Sequence, residues 1–348
     1  MKASVLVVLV ALLVSATSLA QGFNVAEGAS YVLTPTPAEG YADPDATKLT
    51  DGMYAFSWSD MIGFEGADLV TIVIDLEAVR DDVTFAALKV MRSDGSDVAL
   101  PDSFIVSISE DGVLYEDLGM ATAYLEEDVA NDTIGTLVWQ NEEWPGFGRY
   151  VRFEVRPGGT AWTMISEAMV GAGPIPSEYA LPERDDAAAE LGPIENVSLG
   201  RPYVLTPEPS QAYPDDGGVQ VTDGSYEYTW ADMIGFDTPP ENPTVVIDLG
   251  EYVEGITRVS GLFMRSFQSS VNFPNSLVVS ISEDGETFRD IGLATRTDPD
   301  PIENELINEL YWEDTSNPVD GRYVRVVVRP RGESWTMLAE VIVRTGQE

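Results

Sequence analysis

The chain has 348 residues and a formal net charge of −40, from 59 acidic and 19 basic residues. It contains no cysteine and no histidine, which excludes a disulfide framework, a thiolate nucleophile, a Cys/His zinc site and a Ser-His-Asp relay. A field this negative repels phosphate groups, so nucleic acid and anionic membrane surfaces are poor partners. Solubility, as in a saline habitat where an acidic surface stays hydrated, explains the bulk charge without a specific function.

The first 20 residues have the pattern of a secretory signal peptide. A charged start at Lys2 is followed by an apolar core over residues 5–14 and by small residues up to Ala20. The core is too short to span a bilayer, which takes about 20 apolar residues. We therefore expect cleavage after Ala20 and a secreted, extracellular product without membrane insertion, with the periplasm or the cell surface as alternatives.

The rest of the chain is a tandem duplication. Residues 24–64 and 196–236 align without a gap and are identical at 21 of 41 positions. Further on, Val-Ser-Ile-Ser-Glu-Asp-Gly occurs at 106–112 and again at 279–285, an offset of 173 residues. One fold is therefore made twice, and we expect any functional site to occur in pairs.

Within each copy the sequence predicts short β-strands in chain order. They are rich in β-branched residues or alternate apolar and polar residues, and they end at turn signals such as Glu-Asp-Gly or Arg-Pro. In the first and second copies they are 70–76 and 244–249, 104–109 and 277–282, 150–155 and 323–328, and 162–170 and 335–343. Helical periodicity is nearly absent, and residues 301–312 are the best candidate for a turn of helix. Many short strands in a unit of about 150 residues favour an antiparallel β-sandwich.

These patterns divide the chain into three parts after the signal peptide. We predict one sandwich over residues 21–171 and a second over 196–348. Residues 172–195 are rich in proline, alanine and acidic residues and have no counterpart inside either copy, so they are interpreted as a semi-rigid linker. Such a linker would let two sites bind one extended target and so raise avidity.

The order of motifs in each copy resembles the discoidin, or coagulation factor 5/8 type C, family of galactose-binding-like domains, which includes many carbohydrate-binding modules. The resemblance rests on Thr-Asp-Gly at 50–52 and 222–224, a tryptophan six residues further on, the Val-Ser-Ile-Ser-Glu-Asp-Gly hairpin, an Arg-Tyr-Val-Arg strand and an acidic residue in the closing strand. It covers nearly all of both copies. It implies an all-β fold of two tandem antiparallel jelly-roll β-sandwiches that bind through loops at one end and catalyse nothing. The chain lacks the loop histidine of many sugar-binding members, so sugar specificity is not carried over.

The resemblance also implies a structural cation in each domain, held by the Asp-Gly turn, a nearby hydroxyl and an acid of the last strand. The matching residues are Asp51, Ser57 and Glu167 in the first copy and Asp223, Thr229 and Glu340 in the second. Ca2+ suits such a site because it takes six to eight hard oxygen ligands, including backbone carbonyls. The alternative is that the aspartates bond only their own turns and the glutamates face solvent.

Aromatic and arginine residues kept in both copies are the candidates for ligand binding, because a ring stacks on the apolar face of a sugar while polar groups bond its hydroxyls. They are Tyr41 and Tyr213, Arg92 and Arg265, and Trp139 and Trp312. For the two tryptophans of this set, core packing is an equally good interpretation. The tryptophans at 58, 162, 230 and 335 adjoin apolar strand residues and are interpreted as core.

These features predict a secreted, non-catalytic protein that binds extracellular or cell-surface carbohydrate through two modules. The alternative is an adhesive or structural protein of a cell envelope or matrix, whose sandwiches pack on other proteins. A glycoside hydrolase would need one pair of carboxylates in a cleft, and nothing in the sequence distinguishes one pair among 59 acidic residues.

Overall fold

The computed structural model describes residues 23–53, 57–159, 161–181, 192–225, 227–238, 241–332 and 334–347. The predicted signal peptide and the central part of the predicted linker, residues 182–191, lie outside these ranges. The described chain forms two β-sandwiches, called sandwich 1 and sandwich 2 below.

Sandwich 1 consists of nine strands joined by loops and single helical turns. The strands are β1 Ser30–Thr34, β2 Ile62–Glu65, β3 Val70–Arg92, β4 Ser103–Ser109, β5 Glu116–Ala121, β6 Ala123–Tyr124, β7 Thr133–Gln140, β8 Gly146–Arg156 and β9 Trp162–Ala172. Its 3₁₀ turns are Glu39–Tyr41, Trp58–Asp60 and Asp94–Ser96.

Sandwich 2 repeats this order with one additional short strand at its start. The strands are β10 Glu195–Asn196, β11 Tyr203–Thr206, β12 Ile234–Asp237, β13 Thr244–Arg265, β14 Ser276–Ser282, β15 Arg289–Ala294, β16 Arg296–Asp298, β17 Leu306–Glu313, β18 Val319–Arg329 and β19 Trp335–Thr345. Its 3₁₀ turns are Trp230–Asp232 and Phe267–Ser269.

The long strand β3 belongs to both layers of sandwich 1. Its first part pairs antiparallel with β1 and β8, and its last part pairs antiparallel with β7 and β9. The register to β8 shifts between Asp75 and Val83, where the strand bends, and Glu77 lies in the left-handed region at φ 65°. Bulges of this kind bend a strand and let it pass from one layer to the other.

Sandwich 2 is built in the same way around β13. Its first part pairs with β11 and β18 and its last part with β17 and β19, with register shifts between Asp248 and Ile256. Gly250, the equivalent of Glu77, has φ 83°, a conformation that glycine adopts at little cost. The predicted fold class, two tandem all-β antiparallel sandwiches, is confirmed.

Each sandwich has its own apolar core between its two layers. In sandwich 1 the side chains of Ile72, Leu88, Phe104 and Phe153 are fully buried there, and the two phenylalanine rings lie 5.2 Å apart between centroids. Sandwich 2 has a separate apolar core, in which Leu277 and Val326 take the places of the two phenylalanines. Within the described residues, the helical turns are far too short to cross a membrane.

Two segments differ from the simplest interpretation of the sequence. Residues 306–313 form strand β17, which pairs with β13, so the helical turn considered for 301–312 is wrong. The first part of the predicted linker packs on sandwich 1, where Ile175 and Tyr179 contact an apolar cluster that includes Phe85. Burial of apolar side chains is favourable, so apolar residues of a proline-rich segment pack on an apolar face that lies within reach.

Candidate functional site

An aromatic cluster covers one face of sandwich 1 outside its main core. Met61, Met91, Val98 and Met164 are buried there, and Tyr41, Trp58, Ile134 and Trp162 pack on them half-buried. The ring centroid of Tyr41 lies 5.3 Å from that of Trp162 in an edge-on arrangement and 6.1 Å from that of Trp58. Such edge-on and tilted pairs are favourable geometries for aromatic rings.

Local sequence explains how the cluster forms. Tyr41 ends the 3₁₀ turn Glu39–Tyr41 in the proline-rich loop, and Trp58 begins the next turn, so both rings lie on the loop that returns to β2. Gly63 in β2 makes the close approach feasible, because a Cβ there would lie 2.7 Å from Met164 Sδ and 2.9 Å from Tyr41 Cβ. Any larger residue at position 63 would push the tyrosine away from the sheet.

The cluster encloses a shallow pocket of about 330 Å³. Its lining consists of Tyr41, Trp58, Ser96, Val98, Trp162 and Met164. The loop containing Ser96 and Val98 is fixed at both ends, because Val98 bonds Ser93 and forms a bridge to Trp162. The pocket therefore combines three half-buried rings with a hydroxyl group on a fixed loop, a composition that suits a small ligand with apolar and polar faces.

The same cluster recurs in sandwich 2. Tyr213 lies 5.4 Å from Trp335 edge-on and 5.7 Å from Trp230 between ring centroids, and these rings pack on Met233, Met264, Val271 and Met337. Gly235 allows the same close approach as Gly63, because a Cβ at position 235 would lie 2.8 Å from Met337 Sδ. The structure thus brings both predicted tyrosines, Tyr41 and Tyr213, into equivalent aromatic clusters.

The predicted arginines end β3 and β13, and each follows a methionine of the aromatic cluster, so its side chain points to the opposite face of the strand. Arg92 donates through Nη1 to the Val129 carbonyl at 2.8 Å and through Nε to Asp94 Oδ1 at 3.1 Å, and this pair raises the pKa of Arg92. In sandwich 2, Arg265 donates to the Ile302 carbonyl at 2.9 Å and lies 4.3 Å from the centroid of the Phe267 ring. Phe267, the equivalent of Asp94, is 61% exposed.

The structure corrects the platform interpretation of Trp139 and Trp312. Their side chains are only 6% and 9% exposed and belong to the main cores. Each indole Nε1 lies against a glycine of the neighbouring strand, 2.1 Å from a Cβ built on Gly119 and 2.3 Å from one built on Gly292. The rings are therefore unavailable for stacking on a ligand.

The glutamates of the closing strands are buried beneath the Thr-Asp-Gly turns. Glu167 is fully buried; its Oε1 accepts from the Gly52 N–H at 3.2 Å, and its Oε2 is a buried atom without a hydrogen-bond partner. Burial raises the pKa of Glu167 to about 8. The hydrogen bond from the Gly52 N–H lowers this pKa, and the negative charge of Asp51 raises it. An orphaned carboxylate oxygen of this kind is costly unless it is protonated or bound to a cation.

Glu340 is buried beneath its turn in the same way in sandwich 2. Its Oε1 accepts from the Gly224 N–H at 3.0 Å, its Oε2 has no hydrogen-bond partner, and burial raises its pKa to about 8. These two glutamates fit a hard cation, and the expectation that they face solvent is wrong.

The other residues of the expected cation site make local bonds. Asp51 and Asp223 each accept a backbone N–H two residues further on, at 2.7 Å, as in an Asx turn. The hydroxyl of Ser57 bonds Ser59 at 2.9 Å, and that of Thr229 donates to Asp232 at 2.6 Å. Among the described residues no group of three or more acidic side chains is placed to hold a metal ion. Any cation site here would therefore depend on one glutamate with backbone oxygens.

Sequence reasoning missed the role of Trp58, Trp162, Trp230 and Trp335, which it assigned to the core. These residues are half-buried and form the aromatic clusters with the tyrosines. A signal was present, because Gly63 and Gly235 each follow the first tryptophan of their copy by five residues and indicate a close approach of side chains.

Comparison with known proteins gives structural similarities only. No family model matches the chain, and no curated protein is similar to it in sequence. A fucolectin from striped bass (Morone saxatilis) serum has 17% identity over 93% of this chain and 98% of its own, with a TM-score of 0.32. Allantoicase from Saccharomyces cerevisiae has 11% identity over 90% of each chain and a TM-score of 0.32. The CBM32-1 and CBM32-2 domains of Clostridium perfringens ZmpB, solved in complex with GalNAc, have 9% identity over 91% of this chain and 89% of their own, with a TM-score of 0.33.

Proposed function

We propose that the protein is a secreted, non-catalytic carbohydrate-binding protein with one binding site on each sandwich. The observation that supports this proposal is the aromatic-lined pocket of Tyr41, Trp58 and Trp162, whose ring cluster is repeated in sandwich 2. A ring offers the apolar face of a sugar a stacking surface, while nearby hydroxyl and backbone groups bond its hydroxyls. Arg92 and Arg265 lie outside the clusters, so only a longer glycan would reach them.

We also propose that each sandwich holds one structural Ca2+ next to its buried glutamate. Glu167 and Glu340 each have one partnerless carboxylate oxygen, and backbone carbonyls of the adjacent turns of Asp51 and Asp223 would have to complete the site. A bound Ca2+ would compensate the buried negative charge and stabilise the loop between β1 and β2, or between β11 and β12. Ser57 and Thr229 would join the site only by giving up their present hydrogen bonds.

The central experiment measures binding of residues 21–348 to a panel of soluble and insoluble polysaccharides, with and without Ca2+. We expect selective binding that weakens about tenfold in Trp58→Ala and in Trp230→Ala, and that is lost in the double variant, because each substitution removes one stacking ring. Trp144→Ala is the matched control, since Trp144 is 67% exposed and lies outside the pocket. Binding that survives the double variant would contradict the proposed sites.

A second candidate function, adhesion to another protein, is favoured by a specific feature of sandwich 1. Val113, Leu114, Trp144 and Phe147 are 53–75% exposed at the end of the sandwich where β4 turns into β5 and β7 into β8. The equivalent residues of sandwich 2 are Glu286, Thr287, Asn317 and Asp320. If no polysaccharide binds, this apolar end becomes the first surface to test against envelope or matrix proteins.

A further inference from the structure

The two sandwiches contact each other through the same face. Ile105, Val278 and Leu293 form one buried apolar cluster, on which Met120 and Val327 pack. Ile105 and Val278 are equivalent residues of the two copies, as are Met120 and Leu293. An interface in which residue i meets its own equivalent has the pattern of a two-fold, self-complementary contact.

Two ion pairs cross this interface in reciprocal fashion. Asp117 of sandwich 1 accepts from Arg329 at 2.6 and 3.2 Å, and its equivalent Asp290 accepts from Arg156 at 2.8 Å. Arg156 and Arg329 are themselves equivalent residues. The Asp117 and Asp290 side chains are 0% and 5% exposed, so both carboxylates are buried, while the Arg156 side chain remains 31% exposed.

Serine hydroxyls complete the same pattern. Ser276 donates to Asp117 at 2.6 Å across the interface, and its equivalent Ser103 donates to Asp290 at 3.2 Å. Each carboxylate is also bonded from within its own sandwich, Asp117 by Ser107 and Asp290 by Ser280, both at 2.7 Å. The carboxylates are therefore oriented in advance for an arginine and a serine supplied by another sandwich.

The symmetry is not exact. Asn275 of sandwich 2 accepts from the Asp117 N–H and donates to the Tyr115 carbonyl across the interface, where sandwich 1 carries Asp102. Glu154 of sandwich 1 accepts a second, short hydrogen bond from Arg329, while Val327 occupies the equivalent place in sandwich 2. Sandwich 1 thus offers an incoming arginine two carboxylates, and sandwich 2 offers one. Two copies of sandwich 1 would each place Arg156 against Asp117 and Glu154 of the other copy.

We infer that the outer face of β4, β5 and β8, with its equivalent of β14, β15 and β18, is a self-recognition surface whose partner is a second sandwich of this same design. The two halves hold together through this surface without needing the peptide connection at 182–191. A consequence is that this surface would hold the two aromatic clusters at a defined distance from each other. Reciprocal buried ion pairs with fixed geometry favour specific pairing over random association.

The test introduces a site for a sequence-specific protease within residues 182–191 of the full chain and cuts the purified protein. Sedimentation velocity at micromolar concentration then reports whether the halves remain one species. We expect a single species of the intact mass. Two separate species of half the mass would overturn the inference.

Variants locate the interaction. Arg329→Gln removes the arginine that sandwich 2 supplies to Asp117, leaving only Arg152 of sandwich 1 at 3.8 Å, and is expected to weaken association of the cut halves at least about 100-fold. Glu154→Val inserts the residue that sandwich 2 carries and is expected to weaken it about tenfold, with folding undisturbed. The matched control is Glu251→Ala, an exposed position where sandwich 1 carries Ala78, and it should leave association unchanged. Equal association in all three proteins would contradict the assigned contacts.

A mixing experiment tests self-recognition itself. One cut preparation carries an affinity tag on sandwich 1, and another carries a fluorescent label on sandwich 1. After mixing, the tag is expected to retain labelled sandwich 1, and retention should fall when both preparations contain Glu154→Val. If no labelled copy is retained, the surface is specific for the sibling half and the self-recognition inference fails.

Discussion

Sandwich 1 and sandwich 2 carry the same aromatic cluster within different rims. Tyr41, Trp58 and Trp162 correspond in place and packing to the three rings of sandwich 2. At the rim, in the loop that follows β3, Asp94 is replaced by an exposed phenylalanine. Inside the sheet, Lys89, which lies opposite Glu167, is replaced by leucine. The packed rings are the same in both copies, while residues around them differ. The two sites should therefore share one architecture and differ in glycan preference.

The largest expected effect is the loss of stability when a buried tryptophan is removed. It distinguishes a role in core packing from a role in ligand binding. Trp139→Ala and Trp312→Ala should each lower the free energy of unfolding by about 3–5 kcal/mol, because each leaves a large cavity in a main core. Denaturant unfolding measures this, with the exposed Trp144→Ala as a control expected to change stability by less than about 0.5 kcal/mol. A variant of either core residue that keeps its stability and loses glycan binding would restore the platform interpretation.

The buried glutamates should give an intermediate effect that depends on pH. Their folded pKa of about 8 lies above the ordinary value of 4.5, so their favourable contribution is complete below pH 4.5 and is lost as the pH rises through about 8. In chelator at pH 8, Glu167→Gln and Glu340→Gln should therefore each raise the free energy of unfolding by about 1–3 kcal/mol, and at pH 4.5 they should have little effect.

The effect of Ca2+ on the melting temperature tests the two glutamates as cation ligands. At pH 8, added Ca2+ should raise the melting temperature of the wild type and leave that of the Glu167→Gln, Glu340→Gln double variant unchanged. We expect the Glu340 site to bind more tightly, because Lys89 faces Glu167 and Leu262 replaces it in sandwich 2. Destabilisation by either substitution in chelator would show instead that the carboxylate has a partner without metal.

The smallest expected effect concerns the rims. Asp94→Phe is measured in a Trp230→Ala background, in which the site of sandwich 2 is disabled. It should change the glycan affinity of sandwich 1 about threefold towards that of sandwich 2. The substitution removes the Asp94 carboxylate from Arg92 and places an exposed ring there, as Phe267 does beside Arg265. The reverse substitution, Phe267→Asp in a Trp58→Ala background, is the matched control. Titration calorimetry with a bound polysaccharide fragment measures both, and identical affinities in all four proteins would show that the rims take no part in binding.

The strands were predictable because their signals are local. The predicted strands 70–76 and 244–249 are the β-branched first parts of β3 and β13, whose continuations to Arg92 and Arg265 were not predicted. The Glu-Asp-Gly turns fix the hairpins of β4 and β14 through Asp111 and Asp284, whose carboxylates bond the N–H groups that follow. The sequence did not predict β17 because this segment is acidic, follows prolines and alternates only weakly between apolar and polar residues. It forms a strand because it pairs with β13.

By itself, the sequence determined the duplication, the all-β class, the absence of cysteine and histidine chemistry and the pairing of every candidate site, since these follow from composition and local pattern. Only the tertiary structure decided that Trp139 is core and Trp58 lines a pocket, because both adjoin apolar residues and differ in what covers them. It also decided that the halves are joined directly, through Asp117 and Arg329, which are 212 residues apart. Contacts between such distant residues depend on how faces meet in space, and no local pattern encodes that.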